Sequence, residues 1–257
     1  MSGFIIEDDR PLSQGLTTTL SSPPLLGVNL LNDDTGLGEF EELCWQYLHR
    51  LPQNLMLGQL KSRVETELGS FGGRRYEFDS RIFQTEGPLA GQPIGQLAVT
   101  LYRKPGGTEE DIFLELEQCQ LWYPELRGQG LGKAIVELVK QLGEALGVKA
   151  LTAIAIYDGR FVWPALGFRF GDYLPDEHMA RKFQKRFARF CQLHRIAAPD
   201  TSGWDAPHFA SFLHERRVLA PVGHSMDRQR KEVHFGRGFL LTRRPFFLSL
   251  PLSNGQA

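Results

Sequence analysis

Residues 121–133, Leu-Trp-Tyr-Pro-Glu-Leu-Arg-Gly-Gln-Gly-Leu-Gly-Lys, constrain the fold more than any other stretch of the chain. An apolar strand runs into a Gly-rich turn and from there directly into a helix. A turn of this kind leaves backbone N–H groups unpaired at a helix N-terminus. Those donors, together with the positive end of the helix dipole, suit a phosphate or pyrophosphate. Glycine at Gly128, Gly130 and Gly132 keeps Cβ atoms out of the way of such a ligand. The expected ligand is therefore a phosphate-bearing cofactor.

The helix after the turn is marked by Leu131, Ala134, Ile135, Leu138, Val139, Leu142 and Leu146, one apolar stripe at helical spacing. Lys133, Glu137, Lys140, Gln141 and Glu144 fill its other face, and Gly147 stands where a C-terminal cap is expected. Residues 148–156 are apolar and β-branched, as in a buried strand. The unit is strand, phosphate turn, helix, strand. A P-loop is excluded, because Ala134 follows Gly132-Lys133 where a metal-binding hydroxyl is required, and Arg127 occupies the position of the first glycine. A dinucleotide fingerprint fits poorly. The third glycine is misspaced, and the nearest acidic residue, Asp158, lies beyond the usual distance.

Arg127-Gly128-Gln129-Gly130-Leu131-Gly132 matches the pattern Arg/Gln-x-x-Gly-x-Gly/Ala and resembles the acetyl-CoA-binding motif of the GNAT superfamily of N-acetyltransferases. Trp122-Tyr123-Pro124-Glu125-Leu126 is similar to the lead-in of that motif, and Leu166-Gly167-Phe168 to the Gly-Phe that closes the superfamily's fourth helix. The resemblance spans about residues 37–172. It implies a mixed α/β (α+β) fold with a mostly antiparallel central sheet flanked by helices, here followed by a C-terminal α/β extension. It also implies acetyl-CoA, or another acyl-CoA, as co-substrate. The pantetheine arm would lie along Gln120, Leu121 and Trp122. The pyrophosphate would lie on Arg127, Gly128, Gln129, Gly130, Leu131, Gly132 and Lys133. The acetyl carbonyl would be held near the backbone of Leu121 or Trp122, and a primary amine would attack it directly, without a covalent enzyme intermediate.

The departures concern proton handling. The tyrosine that serves many relatives as general acid is replaced by Trp163, while Tyr157 is nearby but out of register. Asp158 occupies the region of a usual asparagine, and Pro164 falls inside the short helix. Glu115 and Glu117 lie on the strand expected over residues 111–123, where relatives carry a catalytic carboxylate. Alternation groups them with Phe113 and Cys119. A carboxylate inside a sheet is costly unless used or paired, so a catalytic base and a salt-bridged strand pair both stand. The catalytic candidates are Glu117, Glu115 and Tyr157. The alternative to an enzyme is a degenerate relative that binds CoA and serves as a sensor or interaction protein.

The 257 residues suit one large domain with extensions. Residues 1–36 read as a flexible arm, 37–172 as the acetyl-CoA-binding domain and 173–257 as an extension packed on the core. Helices are expected over residues 39–51 and 54–68, then a meander of strands over 75–84, 94–102 and 111–123. In the extension, residues 179–195 read as a helix with Phe183, Phe187, Phe190, Cys191 and His194 on one side. Its other side carries Arg181, Lys182, Lys185, Arg186 and Arg189. That side fits an anionic partner or a solvated basic face. Residues 204–217 read as a further helix, and residues 235–252 as a strand pair.

A formal net charge of −1 argues against nucleic acid. Three scattered cysteines give neither a disulfide framework nor a zinc site and fit a cytoplasmic protein. No apolar run reaches the roughly 18–20 residues of a membrane span. His208 and His214 read as surface or capping residues, and no metal site is expected. The acceptor is a small-molecule or peptide amine whose identity the motifs leave open.

Overall fold

A computed structural model describes residues 26–32, 36–51, 54–66, 74–104, 108, 111–126, 129–170, 178–223 and 229–252. Helices α1 (Leu26–Asn32) and α2 (Gly36–Leu48) precede strands β1 (Leu55–Thr66), β2 (Arg74–Gln84), β3 (Pro93–Arg103) and β4 (Ile112–Leu121). Then come α3 (Leu131–Leu146), β5 (Ala150–Ala155), α4 (Gly159–Ala165) and β6 (Arg169–Phe170). The remainder forms α5 (His178–Leu193), α6 (Ala206–Ser211), the antiparallel pair β7 (Arg217–Val222) and β8 (Gln229–His234), α7 (Phe235–Leu241) and β9 (Phe246–Pro251). The central sheet has seven strands in the order β1-β2-β3-β4-β5-β9-β6. Its described pairs are antiparallel except β4 with β5. The protein is thus a mixed α/β structure, a large and mostly antiparallel sheet flanked by helices, which is compatible with the fold that the resemblance implies.

Helix α3 forms where its stripe predicts. Leu131, Ile135, Val139, Leu142 and Leu146 are buried, and Gly147 closes the helix in the left-handed conformation at φ 69°. Leu97, Val99, Leu101, Leu114 and Leu116 fill the same core from the sheet. The opposite face of β3, β4 and β5 brings polar side chains together between apolar ones. The register sets Thr100 beside Glu115 and Glu115 beside Thr152.

Several expectations are corrected. Residues 54–68, read as a helix, include β1. Leu55 and Leu57 are buried and Met56 between them is exposed, the period of a strand. Good helix formers yield here to pairing along β2. Leu26–Asn32, assigned to the flexible arm, is helical, with Val28, Leu30 and Leu31 in the core; residues 1–25 lie outside those described. Pro164 falls within α4, one residue before its end, and the helix accommodates it.

Residues 235–252 form a helix and a strand rather than a strand pair. A Cβ on Gly236 would sit 2.2 Å from the carbonyl oxygen of Phe209, and one on Gly238 would sit 2.2 Å from Val218. These glycines permit close packing of α7 and are not strand breakers. β9 then pairs with β5 from Ala150–Pro251 to Ala155–Phe246, so the extension supplies a strand of the central sheet. The expected helix over 204–217 shortens to Ala206–Ser211. It is capped by Asp205, whose amide donates to His208 Nδ1 at 3.1 Å. Phe183 and Phe187 of α5 join Phe170, Phe209, Phe239 and Phe246 in one aromatic core, with centroid separations of 4.6 Å for Phe170–Phe183 and 4.8 Å for Phe187–Phe239. No helix among the described residues is long and apolar enough to cross a membrane.

Candidate functional site

The β4–β5 ladder runs from Phe113–Ala150 to Leu116–Ala153 and stops there, although β4 continues against β3 to Leu121. At the point of parting β4 holds an extra residue. Ala98 faces Gln118 and Val99 faces Leu116, so Glu117 is the bulge. A bulge bends its strand and re-aims a side chain. The parting opens a cleft of about 750 Å3, well within the range of ligand sites.

One wall of the cleft is the backbone of Leu116 to Leu121. The other is Ile154, Ile156 and the segment from Tyr157 through α4 to Leu166. Gly130, Gly132 and Lys133, at the start of α3, line it as well. Gly130 has φ +82°, which only glycine adopts cheaply. A Cβ on Gly132 would meet nothing within 4 Å. Packing therefore does not require glycine at 132; its absent side chain leaves room in the cleft.

Among the cofactor-binding candidates, Gln120, Leu121, Gly130, Gly132 and Lys133 line the cleft. Leu131 turns into the core, and the Gln129 side chain donates to the Glu125 carbonyl at 2.8 Å. Arg127 and Gly128 lie outside the described residues. The Trp122 amide donates to Ile94 O at 2.9 Å. Strand alternation then turns the amides of Leu121 and Cys119 toward the cleft side.

Of the catalytic candidates, Glu117 and Tyr157 line the cleft, whereas Glu115 does not. Glu117 accepts hydrogen bonds from Arg75 Nη2 at 2.9 Å and Thr100 Oγ1 at 2.8 Å. Glu115 lies 3.9 Å from the same Arg75 nitrogen. Burial raises the pKa of Glu115, the charge of Glu117 adds to the rise, and Arg75 opposes it. The bulge also reverses the alternation expected for this strand. Cys119 faces Leu97, on the side of Leu116, and is not grouped with Glu115. Burial pushes the Cys119 thiol up to about 12. At neutral pH it is protonated, which makes it a poor nucleophile.

Tyr157 has φ +46°, uncommon for a residue with a Cβ. Arg160 holds the turn by donating from Nε to the Tyr157 carbonyl at 2.9 Å. Trp163, at the position where the resemblance implies a tyrosine, is buried against Phe168 and lines the cleft. Asp158 Oδ1 accepts from the Gly223 amide at 3.0 Å, tying the start of α4 to the extension. Gly223 and Arg237 also line the cleft. The sequence held no sign of these two, because they lie in an extension without a recognised motif and are brought to the cleft by α7 and the end of β7.

No family model matches the chain, and no curated protein matches it. Among solved structures it is similar to nourseothricin acetyltransferase, at 16% identity over 43% of this chain and 67% of that one, with a TM-score of 0.22. A likeness at that level carries no argument about function.

Proposed function

We propose that the protein is an N-acyltransferase of the GNAT type that moves an acetyl group from acetyl-CoA, or another acyl group from its CoA ester, to a primary amine. The observation that carries this reading is the parting of β4 from β5 beyond Leu116–Ala153, into a cleft that includes the α3 N-terminus. A thioester arm would lie along β4 residues 117–121. Its pyrophosphate would meet the turn at Gly130 and Gly132, where amides and helix dipole favour an anion. The resemblance at Arg127–Lys133 names the cofactor that fits this shape.

In this reading the amine nitrogen attacks the thioester carbonyl, the C–S bond breaks and CoA leaves as the thiolate. The protonated Cys119 thiol disfavours a route through an acyl-cysteine, so direct attack is the simpler path. Glu117, held between Arg75 and Thr100, is the carboxylate placed to take the amine proton, directly or through one water. Tyr157 is the cleft hydroxyl available to return a proton to the thiolate.

Calorimetric titration with acetyl-CoA tests the reading. Saturable binding, with CoA thiol released when an amine is added, is expected; no binding would overturn it. The second reading, a CoA-binding protein without turnover, is favoured by Trp163 at the general-acid position and by the engagement of Glu117 with Arg75. Binding of acetyl-CoA without thiol release across an amine panel would select it.

A further inference from the structure

Arg237 is the one residue of α7 that lines the cleft. Its guanidinium carbon lies 5.2 Å from the ring centroid of Phe161, in the first turn of α4. Its Nε is buried and has no hydrogen-bond partner. Among the described residues no carboxylate pairs with it. The stacked imidazoles of His214 and His234, with centroids 4.4 Å apart, supply no anion either. A buried donor on a permanent cation is costly to leave unmet, and an arginine fork is shaped for a carboxylate or phosphate.

The other cation of the cleft, Lys133, belongs to the α3 turn. It also shares a separate depression with Leu166, just past the end of α4. Arg237 thus lies over Phe161 in the first turn of α4, whereas Lys133 shares its second depression with Leu166 just past the end of that helix. The phosphates of a cofactor seated on α3 are served at the Lys133 end.

We propose that Arg237 binds an anionic group of the acceptor, so that the preferred substrate is an amine that also carries a carboxylate, such as an amino acid or a peptide with a free C-terminus. This inference rests on the acyltransferase reading and narrows its substrate class.

The test measures CoA-thiol release with a panel of amino acids and dipeptides, each matched by its C-terminal amide, alongside calorimetric binding of acetyl-CoA. The full-length wild type, Arg237→Gln and Arg237→Lys are compared. Free acids are expected to exceed their amides in kcat/KM by about tenfold or more. Arg237→Gln should abolish that preference by raising KM for the acids. Acetyl-CoA affinity should not change, and Arg237→Lys should restore part of the preference. Equal turnover of acids and amides by a wild type that binds acetyl-CoA would overturn the assignment of Arg237 alone. Loss of acetyl-CoA affinity in Arg237→Gln would overturn it in favour of a cofactor phosphate. Failure of the wild type to bind acetyl-CoA would overturn both this inference and the reading beneath it.

Discussion

Leu116 faces Ala153 on the last rung of the β4–β5 ladder, and the next residue of β4, Glu117, is a bulge. That single relationship joins fold and site. The pairing stops where β4 bends, so a carboxylate is set on the edge of a cleft that the N-terminus of α3 also lines. A Gly-rich turn without the parting would offer an anion site with nothing to hold the rest of a cofactor.

Gly132→Glu separates binding from folding. The position lies in the first turn of α3, and an added Cβ meets nothing. Replacing glycine in a helix, with an acid near the N-terminus, gains up to about 1 kcal/mol. The thermal midpoint should hold or rise, while acetyl-CoA affinity falls by about 100-fold or more because a carboxylate stands where the pyrophosphate is proposed. Gly130→Glu is the less clean variant, since φ +82° adds about 1–2 kcal/mol of backbone strain. Unchanged calorimetric affinity in a folded Gly132→Glu protein would sink the cofactor assignment.

Gly236→Ala should destabilise by about 2–4 kcal/mol, because its Cβ would stand 2.2 Å from Phe209 O and 2.6 Å from Ala210 O, both main-chain atoms. Urea unfolding measures this. A loss below about 0.5 kcal/mol, the size of an ordinary surface change, would mean that α7 does not pack on α6 as described.

The contrast between Gly236 and Gly130 shows which parts of this protein are legible in its sequence. The β4–turn–α3–β5 unit is local. Its stripe, its caps at Gly130 and Gly147 and its strands are written within about 40 contiguous residues. β1 was obscured because Leu, Met, Gln, Lys and Glu favour helices in isolation, and only pairing with β2 makes them a strand. β9 and α7 were obscured because their partners are distant in the chain. Leu250 pairs with Leu151, and Gly236 answers to the carbonyl of Phe209. The bulge at Glu117 likewise depends on the register with β3, so strict alternation misplaced Cys119. Arg237 reaches the cleft through the same distant packing.

His234 makes stability depend on pH. Burial, followed by the nearby positive charges of His214, Arg237 and Arg217, lowers its pKa from 6.5 to about 4. Its ring also caps α7 by accepting from the Arg237 amide at 3.3 Å, which a protonated nitrogen cannot do. The folded state therefore prefers neutral His234. The stability this preserves is fully present above pH 6.5 and is lost as the pH falls toward 4. After allowance for solvent around the partly screened ring, the loss is about 2 kcal/mol. His234→Asn keeps a good capping residue without a titrating group. Urea unfolding at pH 7.5 and 4.5 should show a drop smaller by that amount in the variant; equal drops would exclude His234 as the cause.

Glu117→Gln should lower kcat about 100-fold while leaving acetyl-CoA affinity within about twofold, because a general base contributes to proton transfer and not to cofactor binding. Glu115 is expected to behave differently. Burial and the neighbouring Glu117 charge hold its pKa above the usual carboxylate value, while Arg75 is shared between the two. Most of kcat should survive in Glu115→Gln, because Glu115 does not line the cleft. A full loss of kcat in Glu115→Gln, with Glu117→Gln active, would exchange the two roles.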